Sequence, residues 1–207
     1  VPVQDRVAAP LPRTPRHAIV IVVDGLRRDA AESMTSVGRI AAQGHCRVAD
    51  QGTYTVSRPE YALLSTGLEV DRSGARNNDL AAPLAAESVW EVAREHGLRV
   101  GGSSHLSWFR ELFLRGFDRY HVADSLDDDV FAVPALADVD VFHPVYVDEV
   151  AHEHGAASES YRAAVARVDR ELGRLLDERV DFSQDVVIFT ADHGHRDAGG
   201  HGGAQPE

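Results

Sequence analysis

Three apolar runs that each stop at an aspartate constrain what this chain can fold into. HAIVIVV (17–23) precedes Asp24, DVDVFHPVYV (138–147) precedes Asp148, and VVIFTA (186–191) precedes Asp192. The last is apolar from Val186 to Phe189 without alternation, which predicts a strand covered on both faces. Helical spacing lies between the runs. Leu26, Ala30, Met34, Val37 and Ile40/Ala41 follow the first, and Tyr161, Val165, Val168, Leu172 and Leu175/Leu176 form a stripe along 158–179. Strands separated by helices predict an α/β fold, a three-layer α/β/α sandwich about a mostly parallel sheet. Ligands gather beyond the carboxyl ends of such strands. One aspartate there is commonly a helix N-cap; three, two with histidines close behind, are poorly explained by capping alone.

The remaining chain supports the same alternation. Residues 1–16 hold four prolines and three arginines and read as an extended lead-in to a domain spanning 17–207. Short strands are expected at 45–51, 98–105 and 117–124. Helices are expected from near Pro59, over Ala86–His96 with Gly97 just beyond, and over 106–116. Residues 73–83 read as a loop and 125–131 as a solvated acidic turn.

Composition narrows the function. A net charge of −12 opposes DNA, RNA or heparin-like partners, although divalent metals could offset it locally and still draw an anionic substrate. The single cysteine, Cys46, excludes an internal disulfide, a four-cysteine zinc site and an iron–sulfur cluster, and reads as a small buried residue. No run reaches the roughly 18 apolar residues of a membrane span, and no signal-peptide pattern is present. The chain begins at Val1, so a processed or trimmed chain is expected, and membrane association only through a segment absent from it.

Chemistry concentrates in two stretches. In DEVAH, Asp148 and His152 stand four residues apart and share a face on a helical turn. In ADHGHRDAGGHGG, Asp192 and His193 end a strand, and glycines let a short loop deliver His201. Asp148, His152 and His201 make one site of carboxylate and imidazole; Asp24, Asp192 and His193 make another. Such ligands suit zinc, with manganese the alternative, and two neighbouring metals can clamp a transferring phosphoryl group. Ser57, at a loop-to-helix junction ahead of Pro59 where a helix N-terminus favours phosphate, is the expected nucleophile, and the spacing to Thr66-Gly67 favours it over Thr55.

In order, VVDGL (22–26), SRPEYALLSTG (57–67), DEVAH (148–152), ADHG (191–194) and GGHGG (199–203) resemble the alkaline phosphatase superfamily. The resemblance is narrower to its type I phosphodiesterase/nucleotide pyrophosphatase branch, and also to the ethanolamine-phosphate transferases of glycolipid-anchor synthesis. It covers Ala18 to the end of the chain, and relatives continue with another strand beyond the last ligand. It implies an alkaline-phosphatase-like fold with Asp24, Ser57, Asp192 and His193 around one zinc and Asp148, His152 and His201 around the other. Ser57 would attack phosphorus in line, forming a phosphoserine that is then hydrolysed. The phosphate-binding asparagine falls at Asn78, with Asn77 adjacent, and Arg58 is a further substrate-binding candidate. A small phosphate ester is the implied substrate, and the periplasm or extracellular space the implied location.

Alternatives stay open. Transfer of a phosphoethanolamine-type group differs only in what intercepts the phosphoserine. Sulfatase chemistry ranks lower, since SRPEY puts Tyr61 where the sulfatase arginine belongs. A metal-binding pseudoenzyme would be expected to lose some ligands. His154 and His195 lie two residues beyond proposed ligands and are expected to contact the site mainly through hydrogen bonds to ligands. His105, His121 and His143 read as structural or surface residues, and Arg72 and Arg76 as surface arginines.

Overall fold

The structure, a computed structural model, describes residues 14–49, 54–80 and 83–201. The lead-in up to residue 13 and the final glycine pair of the GGHGG motif lie outside them. Within the described residues the strands are β1 (Ala18–Val23), β2 (Val100–Ser104), β3 (Arg119–Val122), β4 (Val139–His143) and β5 (Val186–Ala191). They form one sheet in the order β3-β2-β4-β1-β5, every neighbouring pair parallel. The helices are α1 (Arg28–Ser33), α2 (Thr35–Gln43), α3 (Ser57–Thr66), α4 (Val70–Ser73), α5 (Val89–Glu95), α6 (Trp108–Leu112), α7 (Tyr146–His154) and α8 (Glu159–Arg179).

Side-chain alternation along β1 divides these helices into two layers. Ile19, Ile21 and Val23 face one core with Met34, Val147, Ala151 and the α8 stripe of Tyr161, Val165, Val168, Leu172 and Leu176. Val22, from the opposite face, packs with Tyr61, Trp90, Phe109, Leu112 and Phe113, and with Val100 and Val141 of the adjoining strands. The chain is therefore a three-layer α/β/α sandwich on a parallel sheet. No helix among the described residues is long and apolar enough to cross a membrane.

Four local expectations change. The apolar helix after β1 is two helices, broken at Met34, whose backbone is extended (φ −72°, ψ 130°). The Asp169 carboxylate accepts from the Thr35 and Ser36 N–H groups at 2.9 and 2.8 Å, so a residue of α8 caps α2. The strand expected through Val147 stops at His143, because Pro144 lacks a ladder donor; Asp148 consequently lies in the first turn of α7 rather than at a strand end. No strand forms over 45–49, where Cys46 is only partly buried. Finally, β5 lies at the edge of the sheet formed by the described residues and is not covered on both faces there: Ile188 is 51% exposed.

Candidate metal centre and nucleophile

The carboxyl ends of β4, β1 and β5 lie side by side and carry the site. The Asp24 N–H donates to Pro144 O at 3.1 Å, which ties the end of β1 to that of β4. Gly25 then turns the chain with φ +70°, and its N–H donates to Asp192 Oδ1 at 3.1 Å. The His193 N–H donates to the same oxygen at 2.8 Å. Asp24 caps no helix: the residue before α1 is Arg27. The α7–α8 junction and the β5 loop are held together at Gly155, where a Cβ would stand 2.4 Å from Asp197 O.

His193 stands at the centre, fully buried. Its Nε2 is 3.2 Å from Ser57 Oγ, 3.3 Å from Asp24 Oδ1, 3.3 Å from Asp192 Oδ2 and 4.0 Å from Asp148 Oδ1. Ligating atoms of Asp24, Asp192 and His193 lie within 4.8 Å of one another, as do those of Asp148, His193, His195 and His201. His201 stacks on His193 with ring centroids 3.8 Å apart and donates through Nδ1 to Thr55 O, 2.7 Å away. His152 Nε2 lies 3.0 Å from His201 Nε2 and 3.5 Å from Asp148 Oδ2, on the more exposed side of the cluster. The structure thus brings together all seven sequence-predicted ligand residues.

Burial sets the electrostatics. It pushes the His193 imidazole down to about 4, against the attraction of Asp24, so the ring is neutral and able to ligate at physiological pH. Burial also raises Asp192 well above the carboxylate range, with the charges of Asp24 and Asp148 adding to it. For Asp24 burial acts upward, but the His143 and His193 imidazoles and the Tyr61 hydroxyl leave its carboxyl well below the ordinary range. Asp24 Oδ1 is buried without a hydrogen bond. A desolvated carboxylate oxygen left this way is costly unless a cation takes it, and carboxylates interleaved with imidazoles are a zinc-type donor set. These residues fit a divalent metal.

Ser57 is the first residue of α3 and is buried beneath this cluster. Asn78 Oδ1 accepts from the Arg58 N–H at 2.9 Å, which leaves the Asn78 NH2 group to donate elsewhere. Asn77, exposed, instead accepts from the Asp79 N–H at 3.1 Å. Arg58 is corrected as a substrate-binding candidate. Its guanidinium is buried, binds Leu80 O and Glu111, and lies 4.6 Å over the Trp108 ring. Arg76, exposed, pairs with Asp71.

His195 makes the hydrogen bond to a ligand expected of it, and His143 contributes more than its sequence position suggested. His195 is fully buried, with Nε2 2.6 Å from Asp148 Oδ1. His143, read as structural or surface, is buried with Nε2 3.2 Å from Asp24 Oδ2. It ends β4, and placing that strand end at Pro144 would have found it. His154 is exposed beside Glu153, His121 is exposed, and His105 is occupied by Asp128 O and the Val145 N–H.

A parallel α/β/α sandwich with this carboxylate–imidazole cluster at its strand ends is an alkaline-phosphatase-like architecture. The family model of type I phosphodiesterase / nucleotide pyrophosphatase matches residues 137–202. GPI ethanolamine phosphate transferase 1 of Emericella nidulans is 24% identical over 93% of this chain and 26% of its own length. GPI ethanolamine phosphate transferase 2 of Aspergillus fumigatus is 26% identical over 94% of this chain and 29% of its own. The chain spans about a quarter of the length of these curated relatives. Among solved structures, an inactive murine ectonucleotide pyrophosphatase/phosphodiesterase 5 in complex with AMP superposes with a TM-score of 0.71 at 19% identity, over 87% of this chain and 57% of the other. The phosphonate monoester hydrolase of Agrobacterium radiobacter gives 0.59 at 16% identity, over 91% and 65%. In sequence and in fold, the chain resembles the type I phosphodiesterase/nucleotide pyrophosphatase branch of the alkaline phosphatase superfamily.

Proposed function

We propose that this chain forms a metal-dependent phosphoesterase site at which Ser57 is the nucleophile and a phosphoserine the intermediate. The observation that carries the reading is Ser57 Oγ, at the head of α3, 3.2 Å from His193 Nε2 within a buried cluster of three carboxylates. Two divalent ions, zinc by donor set, would be held by Asp24, Ser57, Asp192 and His193, and by Asp148, His152 and His201. When bound they supply charge neutralisation for the phosphoryl oxygens and a lowered pKa for the attacking hydroxyl. Ser57 Oγ forms the bond to phosphorus, the bond to the leaving oxygen breaks, and the leaving group departs with the electron pair. A second attack, by water or an alcohol, restores the serine. The N-terminus of α3 and the Asn78 NH2 group orient the phosphoryl oxygens. Phosphoryl transfer relies on such positioning and charge stabilisation more than on acid–base chemistry.

Phosphodiester or pyrophosphate bonds are the favoured substrates. Transfer of phosphoethanolamine to a hydroxyl acceptor is the second reading, supported by curated relatives that match almost the whole chain. Zinc-loaded protein tested on a phosphate monoester, a phosphodiester, a nucleotide pyrophosphate and a sulfate ester, with and without an alcohol acceptor, separates these readings. Ser57→Ala is expected to keep its zinc and lose turnover by at least about a thousandfold. Full metal-dependent turnover by that variant would sink the nucleophile assignment.

A further inference from the structure

Resting on the metal-site reading above, we propose that Tyr61 and His143 are positioning residues that restrain one oxygen of Asp24 and so present the other to the metal. The Tyr61 hydroxyl donates to Asp24 Oδ2, and His143 Nε2 lies 3.2 Å from that oxygen. Oδ1 accepts no hydrogen bond and faces His193 Nε2 at 3.3 Å. The two oxygens are therefore unequal before any metal arrives: one is held by the protein and one is available.

The restraint is itself anchored. Ser104 Oγ, at the end of β2, lies 2.8 Å from His143 Nδ1 and accepts from the Leu106 N–H at 3.0 Å. With Nδ1 engaged there, Nε2 is the ring nitrogen turned toward Asp24; it is buried and makes no aligned hydrogen bond, so its hold on Oδ2 is a close electrostatic contact beside the Tyr61 hydrogen bond. The His143 ring meets Tyr61 edge-on at 4.8 Å and Phe109 at 5.1 Å, and Tyr61 stacks on Phe109 at 4.4 Å. Tyr61, Ser104 and His143 are all essentially inaccessible to solvent. Neither Tyr61 nor His143 can swing away without opening the core, so the carboxylate is fixed through three elements, α3, β4 and β2. Groups that orient a ligand this way commonly set metal affinity within one to two orders of magnitude.

The test uses substitutions that keep the aromatic packing: Tyr61→Phe, His143→Phe, and His143→Gln, whose amide can still donate. Zinc affinity is measured by chelator competition in the absence of substrate, with a cobalt(II) absorption spectrum as a second readout and thermal unfolding of the metal-free proteins as the fold control. Tyr61→Phe and His143→Phe are each expected to weaken one zinc equivalent by about 10- to 100-fold and leave the other unchanged. His143→Gln is expected to recover most of that loss and the wild-type spectrum. Unchanged affinity and spectrum in both phenylalanine variants would overturn the inference while leaving the phosphoesterase reading standing. Wild-type protein that binds no zinc would overturn that reading, and this inference with it.

Discussion

Replacing Gly25 with alanine tests how the turn after β1 positions the ligands. Gly25 has φ +70°, and a Cβ there would lie 2.7 Å from Asp148 Cα, 2.8 Å from its Cβ and 2.9 Å from its Oδ1. The first of these atoms is backbone of α7, so the overlap cannot be relieved by a rotamer change. Left-handed backbone costs an alanine about 1–2 kcal/mol, and overpacking of this kind about 1–3 kcal/mol. The sum, about 2–5 kcal/mol, compares with about 5–15 kcal/mol for the stability of a whole domain. At about 2–4 °C per kcal/mol for a chain of this size, the melting temperature should fall by about 4–20 °C. Gly67→Ala is the control. Gly67 has nearly the same φ, +69°, but nothing within 4 Å of its Cβ position. Its conformational terms, including the lost freedom of the unfolded chain, match those at Gly25 and cancel in the difference. Urea unfolding of both variants should therefore show Gly25→Ala about 1–3 kcal/mol less stable than Gly67→Ala. Equal midpoints would refute the close approach of the β1 turn to Asp148. On the proposed metal reading, Gly25→Ala should also release the metal held by Asp148 sooner during chelator titration than Gly67→Ala does.

Two further outcomes follow from carboxylates that are not among the proposed ligands. Asp169→Ala removes the acceptor for two α2 N–H groups and should lower stability by about 1–2 kcal/mol; an unchanged urea midpoint would show that water replaces the cap without cost. Burial, with the charge of Glu69, pushes the Glu60 carboxyl up from 4.5 to about 8. The folded state then binds the proton more tightly than the unfolded chain, so this contribution is complete below pH 4.5 and is lost as pH rises to about 8. Glu60→Gln should therefore gain stability relative to wild type between pH 5 and pH 8.5, and a constant difference across that range would contradict the shift.

Much of the candidate site is readable in short motifs. Asp192 and His193 are neighbours in sequence, and Asp148 and His152 are one helical turn apart, so local geometry alone places each pair on one face. Ser57 is legible through the proline that follows it at a helix start. Arg58 shows the limit. Its neighbour Ser57 faces the cluster, yet the arginine turns away to Glu111, and no local pattern encodes a partner 53 residues distant. The expectation for His195, a hydrogen bond to a ligand, holds, whereas His143 was missed. His195 gains its meaning only from Asp148, 47 residues away, whereas His143 was hidden by a strand boundary drawn four residues too late.

By itself, the sequence determined the parallel α/β/α plan and the chemical identity of the strand-end cluster. Apolar periodicity and adjacent ligand pairs act within a few residues, and such signals survive in a one-dimensional pattern. Tertiary structure alone decided the break at Met34, imposed by a carboxylate on α8, and the exposure of β5 at the edge of the sheet formed by the described residues. It also decided which Asp24 oxygen is restrained, since Tyr61 and His143 reach that carboxylate only when α3 and β4 pack beside β1. A buried carboxylate takes its partners from whatever the core brings within hydrogen-bond distance, and no spacing along the chain records that choice.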